Sequence, residues 1–552
     1  RTMPMPDVNT LFAGRTVFLT GGSGFVGQVV IEKLLYAVPD IGKIYVLVRP
    51  AKGKSAVERW DAISQGVLFN RVRDTCPYTL EKVVPVEGDI TIDDMGLSIE
   101  NLKRVFDETS VVIHCAATVR FDDTLRNAIE LNLKGVDRMI KLAKRMPLLE
   151  ALVHCSTSYV NVYMEGEIEE MQYPAPCNPY NLMDAQSWMT DEMLDGITKA
   201  MAKKGYYNTY CFTKHVAEEL VRLECVDLPT LIFRPAIIAG IWKDGIPGWA
   251  DSLQGMTAGA MGYGTGTFPR MPCNVLNPTD IVPVDVVSNM LIVCAAYRLH
   301  LTAQKDRSLP VFHCGTSHLN PLILERFRDL CGSFFQEYPL ERFIFAPTVG
   351  SRGDPKLEEG LHIFKHRVVG PTLDKIGGLM GKKPFWERTF RKIREVYGVF
   401  APFISKNWIY KSNNMIELID RMHPDDVEKF DFDVRKLDWT AFTSDMLFGL
   451  KAFLMKNDIM SDQNLVDARR KVKMFQGAEL LADLVLGWLI SVLITHSFSS
   501  FLLAFCIGFG IYYYLTCNAF VTVEIGSIEN YRKRVNEAMR RAPLTNNNKK
   551  DS

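Results

Sequence analysis

A glycine-rich turn between a buried strand and a helix constrains this chain more than any other feature. Residues 16–20, TVFLT, are a β-branched and apolar run of the kind that fills a parallel strand covered on both faces. The run leads straight into Gly21, Gly24 and Gly27 of GGSGFVG, and an apolar-periodic helix follows through Leu35. Glycines so spaced permit a tight turn, admit a pyrophosphate against bare backbone and let helix and strand pack closely. The helix N-terminus offers unpaired N–H groups and a positive dipole end to phosphates. The stretch predicts a dinucleotide site, with Thr20, Gly21, Gly24, Phe25, Val26 and Gly27 against the cofactor. The plainer alternative is an ordinary glycine-rich strand–helix turn.

The second strand, residues 43–48, ends at Arg49, with Lys52 and Lys54 close behind. An acidic residue there would accept from the ribose 2′-hydroxyl of NAD, whereas Arg suits the 2′-phosphate of NADP. The expected cofactor is NADPH. Alternating strands and helices continue. Residues 83–89 read as a third strand ending in Asp89, suited to the adenine edge, and 111–115 as a fourth. Small residues Ala116, Ala117 and Thr118 then let the chain pass close to the cofactor, and Asn132 lies on a helix where a buried amide needs a partner. A fifth strand, 151–155, ends in Ser156, Thr157 and Ser158, and a sixth ends in Pro235, placed to shape the nicotinamide wall.

Tyr210 and Lys214 sit four apart at the start of a helix, on one face. An ammonium beside a phenol stabilises the phenolate and lowers a pKa that is ordinarily about 10, making a proton donor usable near neutral pH. By itself this pair is common in helices. Its place after the glycine turn and a serine-ended strand gives it meaning.

Together these pieces resemble the extended short-chain dehydrogenase/reductase superfamily and, within it, the fatty acyl-CoA reductases. The resemblance rests on TGGSGFVG at 20–27, YVLVRP at 45–50, HCAATVRF at 114–121, HCSTSYVN at 154–161 and YCFTK at 210–214. FRPAI at 233–237, PGW at 247–249, PVDVV at 283–287, GKKP at 381–384 and FDVRKLDW at 432–439 extend it. It implies a Rossmann-type sheet followed by a mainly helical C-terminal domain. It also implies a catalytic set of Ser156, Tyr210 and Lys214, with Thr157 the second hydroxyl, and a cofactor contact from Tyr210 and Lys214. The activity implied is NADPH-dependent reduction of a long-chain acyl-CoA to a primary alcohol through an aldehyde. Residues 361–380 depart from the family's more uniformly apolar helix. A membrane-bound hydroxysteroid dehydrogenase-like enzyme is the rival reading, and a non-catalytic membrane scaffold the third.

The interval from Ser156 to Tyr210 is longer than a strand–helix crossover requires. An insertion at about 161–205 carries Trp188, Met189, Met193, Leu194 and Ile197 at helical spacing. It reads either as a lid lining an acyl channel or as a surface insertion packed on the main domain.

Lys+Arg 64 balances Asp+Glu 64, so no global field favours nucleic acid, and the 12 cysteines show neither disulfide nor metal spacing. Residues 484–523 contain no charged side chain, and basic clusters flank them on both sides. About 20 apolar residues cross a bilayer, so the run predicts a membrane hairpin with both flanks cytosolic; one long tilted span is the alternative. The terminal KKDS resembles a dilysine retrieval signal. The expected layout is therefore 1–350 NADP-binding and substrate lobe, 351–475 helical domain, 476–523 membrane segment and 524–552 basic cytosolic tail. The expected location is the endoplasmic reticulum membrane, or else the peroxisomal membrane. The expected partners are long-chain acyl-CoA and lipid, with a homodimer compatible with both and no metal.

Overall fold

The structure is a computed structural model that describes residues 5–51, 53–253, 255–267, 276–344, 346–347, 370–381, 383–495, 501–516 and 522–539. Lys52, residues 361–369 of the 361–380 segment and the terminal dilysine lie outside these. Seven strands make one parallel sheet: β1 (Thr16–Thr20), β2 (Ile44–Val48), β3 (Val83–Glu87), β4 (Thr109–His114), β5 (Ala151–Cys155), β6 (Thr230–Pro235) and β7 (Val311–Cys314). Their order is β3-β2-β1-β4-β5-β6-β7, with Leu19 flanked by Val46 and Ile113. The order reverses between β1 and β4, which opens a ligand crevice at their C-terminal ends.

Every residue of β1, β2, β4, β5, β6 and β7 is buried. Both faces are covered, which explains the unbroken apolar runs. Val17 and Leu19 pack in one core with helices α1 (Phe25–Ala37) and α4 (Val284–Ala303). Phe18 faces a second core with α2 (Gly135–Ala143) and α3 (Thr209–Glu224). Among the described residues α4 is the one helix long and apolar enough to cross a membrane, but 78% of it is buried and it lies against the sheet.

The C-terminal half shares the first core, through Met415, Phe442, Phe448 and others. It contains α5 (Gly370–Leu379), α6 (Trp386–Ser405), α7 (Asp462–Thr495), α8 (Phe501–Thr516) and α9 (Ile528–Met539). A short strand, Trp408–Tyr410, pairs with Gly166–Ile168 of the insertion and stitches the halves together. Within the charge-free run, the described parts of α7 and α8 pack against each other. A methyl group on Gly487 of α7 would strike the backbone of Gly508 on α8, so the helices touch where side chains are absent. The described second limb is 16 residues, shorter than a full crossing needs.

Residues 528–539 of the stretch expected as a tail pack on the body. α9 buries Ile528, Tyr531, Val535 and Met539, and the Tyr531 hydroxyl donates to Pro247 O at 2.9 Å. Arg534 pairs with the largely buried Asp445 at 2.6 Å. The signal was one apolar residue per turn among many charges, easily mistaken for a solvated basic segment.

Candidate active site

The glycine turn behaves as its spacing requires. Gly21 has φ +78°, and a methyl group on it would lie 2.8 Å from Ala116 N, so the β1 turn can touch the β4 loop only as glycine. A methyl on Gly27 would collide with Gly21 O. Gly24 caps α1 with no side chain bonded to the helix N–H groups, leaving the first turn for an anion. Phe25 and Val26 are half-buried, and the Phe25 ring meets Trp249 of the PGW motif at 5.8 Å. Half-buried Ala116 and Ala117 keep the facing loop low. These residues fit a dinucleotide. Thr20 serves differently from the expectation: its buried Oγ1 accepts from Ala116 N and bonds His114 Nδ1 at 2.8 Å, tying β1 to β4.

At the end of β2, Arg49 is exposed and pairs with Asp89 at 3.4 Å. Asp89 is otherwise engaged with Thr91, through its N–H and hydroxyl, so it organises its own loop. Arg59, which the sequence reading missed, donates to the Arg49 carbonyl from the next helix, whose start is fixed by a Ser55–Glu58 capping box. Two arginines thus meet at the C-terminal end of β2.

Tyr210 opens α3, whose N-terminus is capped by Asn208. The Thr157 hydroxyl lies close enough to the phenol to draw its pKa down. Thr157 in turn bonds Pro235 O and accepts from Tyr159 N, so its position is set by the ends of β5 and β6. Ser156, the first-choice hydroxyl, is buried with no hydrogen-bond partner for its Oγ among the described residues. Successive residues of an extended chain point to opposite faces, so only one of the two can meet Tyr210, and it is Thr157.

The charge logic also differs from the expectation. Burial pushes the Tyr210 pKa up, well above its ordinary value, and the nearby Thr157 hydroxyl only partly offsets this. Lys214 directs its ammonium to Cys155 O at 2.8 Å, and burial lowers its own pKa. Tyr210 therefore holds its proton at neutral pH, the state a proton donor needs.

Asn132 is fully buried on a π-helical turn, Ile129–Lys134, and its partners are protein. Its Oδ1 accepts from Thr118 N at 2.9 Å, and its Nδ2 donates to Thr118 O at 3.3 Å and Thr213 Oγ1 at 3.2 Å. The expected cofactor contact is instead a clamp joining the β4 loop to α3 between Tyr210 and Lys214.

An aromatic wall borders Tyr210. Phe121 lies 5.7 Å from its ring and stacks on Phe403 of α6 at 5.0 Å. Tyr159 meets Phe403, Trp408 and Tyr410 edge-on. The C-terminal half therefore reaches the reaction centre, which no motif at 400–410 had signalled. The insertion, by contrast, packs Leu182, Leu194 and Met201 into the second core and leaves Trp188 and Met193 exposed.

Two family models, both described as male sterility protein, match residues 19–291 and 365–457. Fatty acyl-CoA reductase 1 of Rattus norvegicus is 32% identical over 82% of this chain and 87% of its own length. Fatty acyl-CoA reductase 2 of Homo sapiens is 29% identical over 92% and 98%. The chain belongs to the fatty acyl-CoA reductase family. Among solved structures, the terminal R domain of the myxalamid PKS-NRPS pathway superposes with a TM-score of 0.52 at 18% identity, covering 80% of this chain and 90% of that one. A non-ribosomal peptide synthetase reductase domain from Mycobacterium tuberculosis gives 0.51 at 16%, covering 82% and 94%. Those two likenesses speak for the fold. In this fatty acyl-CoA reductase the oxidoreductase sheet is thus joined to a family-specific C-terminal region, and the Phe121–Phe403 stack lies where the two meet beside Tyr210.

Proposed function

We propose that the protein reduces a long-chain acyl-CoA to the primary alcohol with two equivalents of NADPH. The observation that carries this is the Tyr210 phenol near the Thr157 hydroxyl, with Lys214 anchored at Cys155 O behind the same helix start, in a chain of this family. NADPH, when bound, supplies the hydride for each of the two reductions. Thr157 and Tyr210 hydrogen-bond the carbonyl oxygen as negative charge grows on it. Collapse of the resulting tetrahedral thiohemiacetal breaks the C–S bond, and CoA leaves as the thiolate. In the second reduction Tyr210 passes its proton to the alkoxide oxygen, completing the alcohol. Lys214, fixed at Cys155 O, holds positive charge behind the phenol and favours the transient phenolate. The preference for NADPH over NADH is supported by Arg49 and Arg59 at the β2 end.

The α7–α8 hairpin is read as the membrane anchor. The chain leaves and re-enters the body at one place: Arg532 of α9 pairs with Asp462 at the foot of α7 at 2.8 Å. That closed base supports an even number of crossings and a C-terminus on the catalytic side, in keeping with an endoplasmic reticulum or peroxisomal membrane facing the cytosol. Purified protein given hexadecanoyl-CoA tests the chemistry: two NADPH should be oxidised per free thiol released, with hexadecanol as product. NADPH oxidation without thiol release would reject the reading.

A further inference from the structure

The corner of α5 and α6 exposes an apolar tip separate in sequence from the α7–α8 helices. α5 and α6 meet in a tight turn. The Asp374 carboxylate accepts from three successive backbone N–H groups at the start of α6, Phe385 and Trp386 and Glu387, at 2.8–2.9 Å. That capping satisfies the otherwise unpaired first turn and fixes the intervening turn, where Gly381 takes φ +73°. The corner is built to project apolar side chains into solvent. Leu379 is 90% exposed, Met380 69%, Ile376 51% and Phe385 50%. Apart from α7 and α8, which expose Leu481, Val485, Leu502 and Phe505 among others, exposed apolar residues are scattered singly, as is ordinary; a capped corner carrying four is a binding surface.

The surrounding charge says what it binds. Lys375, Lys383, Arg388, Arg391, Lys392 and Arg394 are exposed around and behind the tip, against the acids Glu387 and Glu395. An apolar tip with a basic collar is complementary to a bilayer carrying anionic headgroups: the tip enters the acyl boundary while the collar meets phosphates. A purely apolar protein partner would gain nothing from the collar.

We propose that the α5–α6 corner is a second membrane contact, an interfacial tip that inserts into anionic lipid independently of the α7–α8 hairpin. Two contacts would hold the body at a fixed tilt. α6 carries Phe403 at its other end, stacked on Phe121, which in turn neighbours the Tyr210 ring. The element that touches lipid is therefore the one that borders the reaction centre, which suits a substrate delivered from the membrane. The part concerning substrate rests on the acyl-CoA reading above; the lipid contact does not.

The full-length protein is reconstituted in vesicles of phosphatidylcholine and phosphatidylserine, with photoreactive benzoylphenylalanine placed singly at Leu379, at Leu502 on α8 or at Ile99. Leu502 reports the hairpin, and Ile99 is an equally exposed site without a basic collar. The expected result is lipid adducts at 379 at least about five-fold above those at 99. Combining Lys375→Glu, Lys383→Glu and Arg388→Glu should cut the 379 adduct about three-fold or more, leaving the 502 adduct unchanged. Labelling at 502 with 379 no higher than 99 would overturn the proposal while leaving the anchor intact. Labelling at 379 alone would uphold it without the anchor. A protein adduct at 379 in place of lipid would overturn it in favour of a partner chain.

Discussion

Replacing Asn132 with Ala tests whether this residue clamps the site or touches the cofactor. Its amide makes three bonds inside the protein, and the residue is fully buried. Ala leaves the Thr118 N–H, part of a backbone at the cofactor loop, with no partner. An orphaned buried donor costs about 1–3 kcal/mol. The Thr118 carbonyl loses a longer bond, whereas Thr213 Oγ1 keeps Thr209 O at 2.7 Å and loses little. The sum is about 2–4 kcal/mol of local stability. Because the clamp joins the β4 loop to α3, the loss should fall on the geometry of Tyr210 as well. A thermal melt of the ligand-free protein should drop by several degrees, kcat should fall at least about ten-fold, and Asn132→Asp should recover only part of either. If the melt is unchanged and only the Kd for NADPH rises, Asn132 is a cofactor contact after all and the clamp argument is wrong.

Thr157→Ala should lower kcat by about 10²–10³-fold, as for loss of one oxyanion donor, and Ser156→Ala by less than about three-fold; the reverse order in steady-state assays would restore Ser156 as the catalytic hydroxyl. Arg49→Glu should weaken NADPH about 10–100-fold by titration while NADH changes little, since a charge-assisted bond to phosphate contributes about 1.5–3 kcal/mol; equal losses would show that the β2 end does not read the 2′-phosphate. Phe403→Ala should shift kcat/KM between straight and 2-methyl-branched acyl-CoA about ten-fold toward the branched substrate, the scale set by methylene-sized changes in an apolar pocket, and leave the KM for NADPH unchanged; an unaltered ratio would remove Phe403 from the substrate wall.

What could be read from the sequence was local and repetitive. The β1–Gly21–α1 unit and the Tyr210–Lys214 pair each put their information within a few consecutive residues, so periodicity and turn chemistry sufficed. Burial was legible where runs such as 44–48 are apolar throughout. The choice between Ser156 and Thr157 was not, because one residue of register reverses which side chain faces the site, and register is set by β6 through Phe233 O. The direction of the Tyr210 shift was missed for a related reason. A four-residue spacing says that Lys214 is on the same face, but only packing tells that its ammonium is drawn to Cys155 O and that burial dominates. Asn132, Arg59 and Phe403 act across long sequence separations, where no spacing rule applies. α9 was hidden by its own charges.

In the proposed mechanism one acid, Tyr210, serves both reductions. The direct measurement compares Tyr210→Phe with the wild-type protein on hexadecanoyl-CoA and on free hexadecanal, following NADPH at saturating cofactor. Both rates should fall together, by at least about 10²-fold, while the Kd for NADPH stays within a few-fold. Aldehyde reduction at near wild-type rate, with thioester reduction lost, would contradict this mechanism.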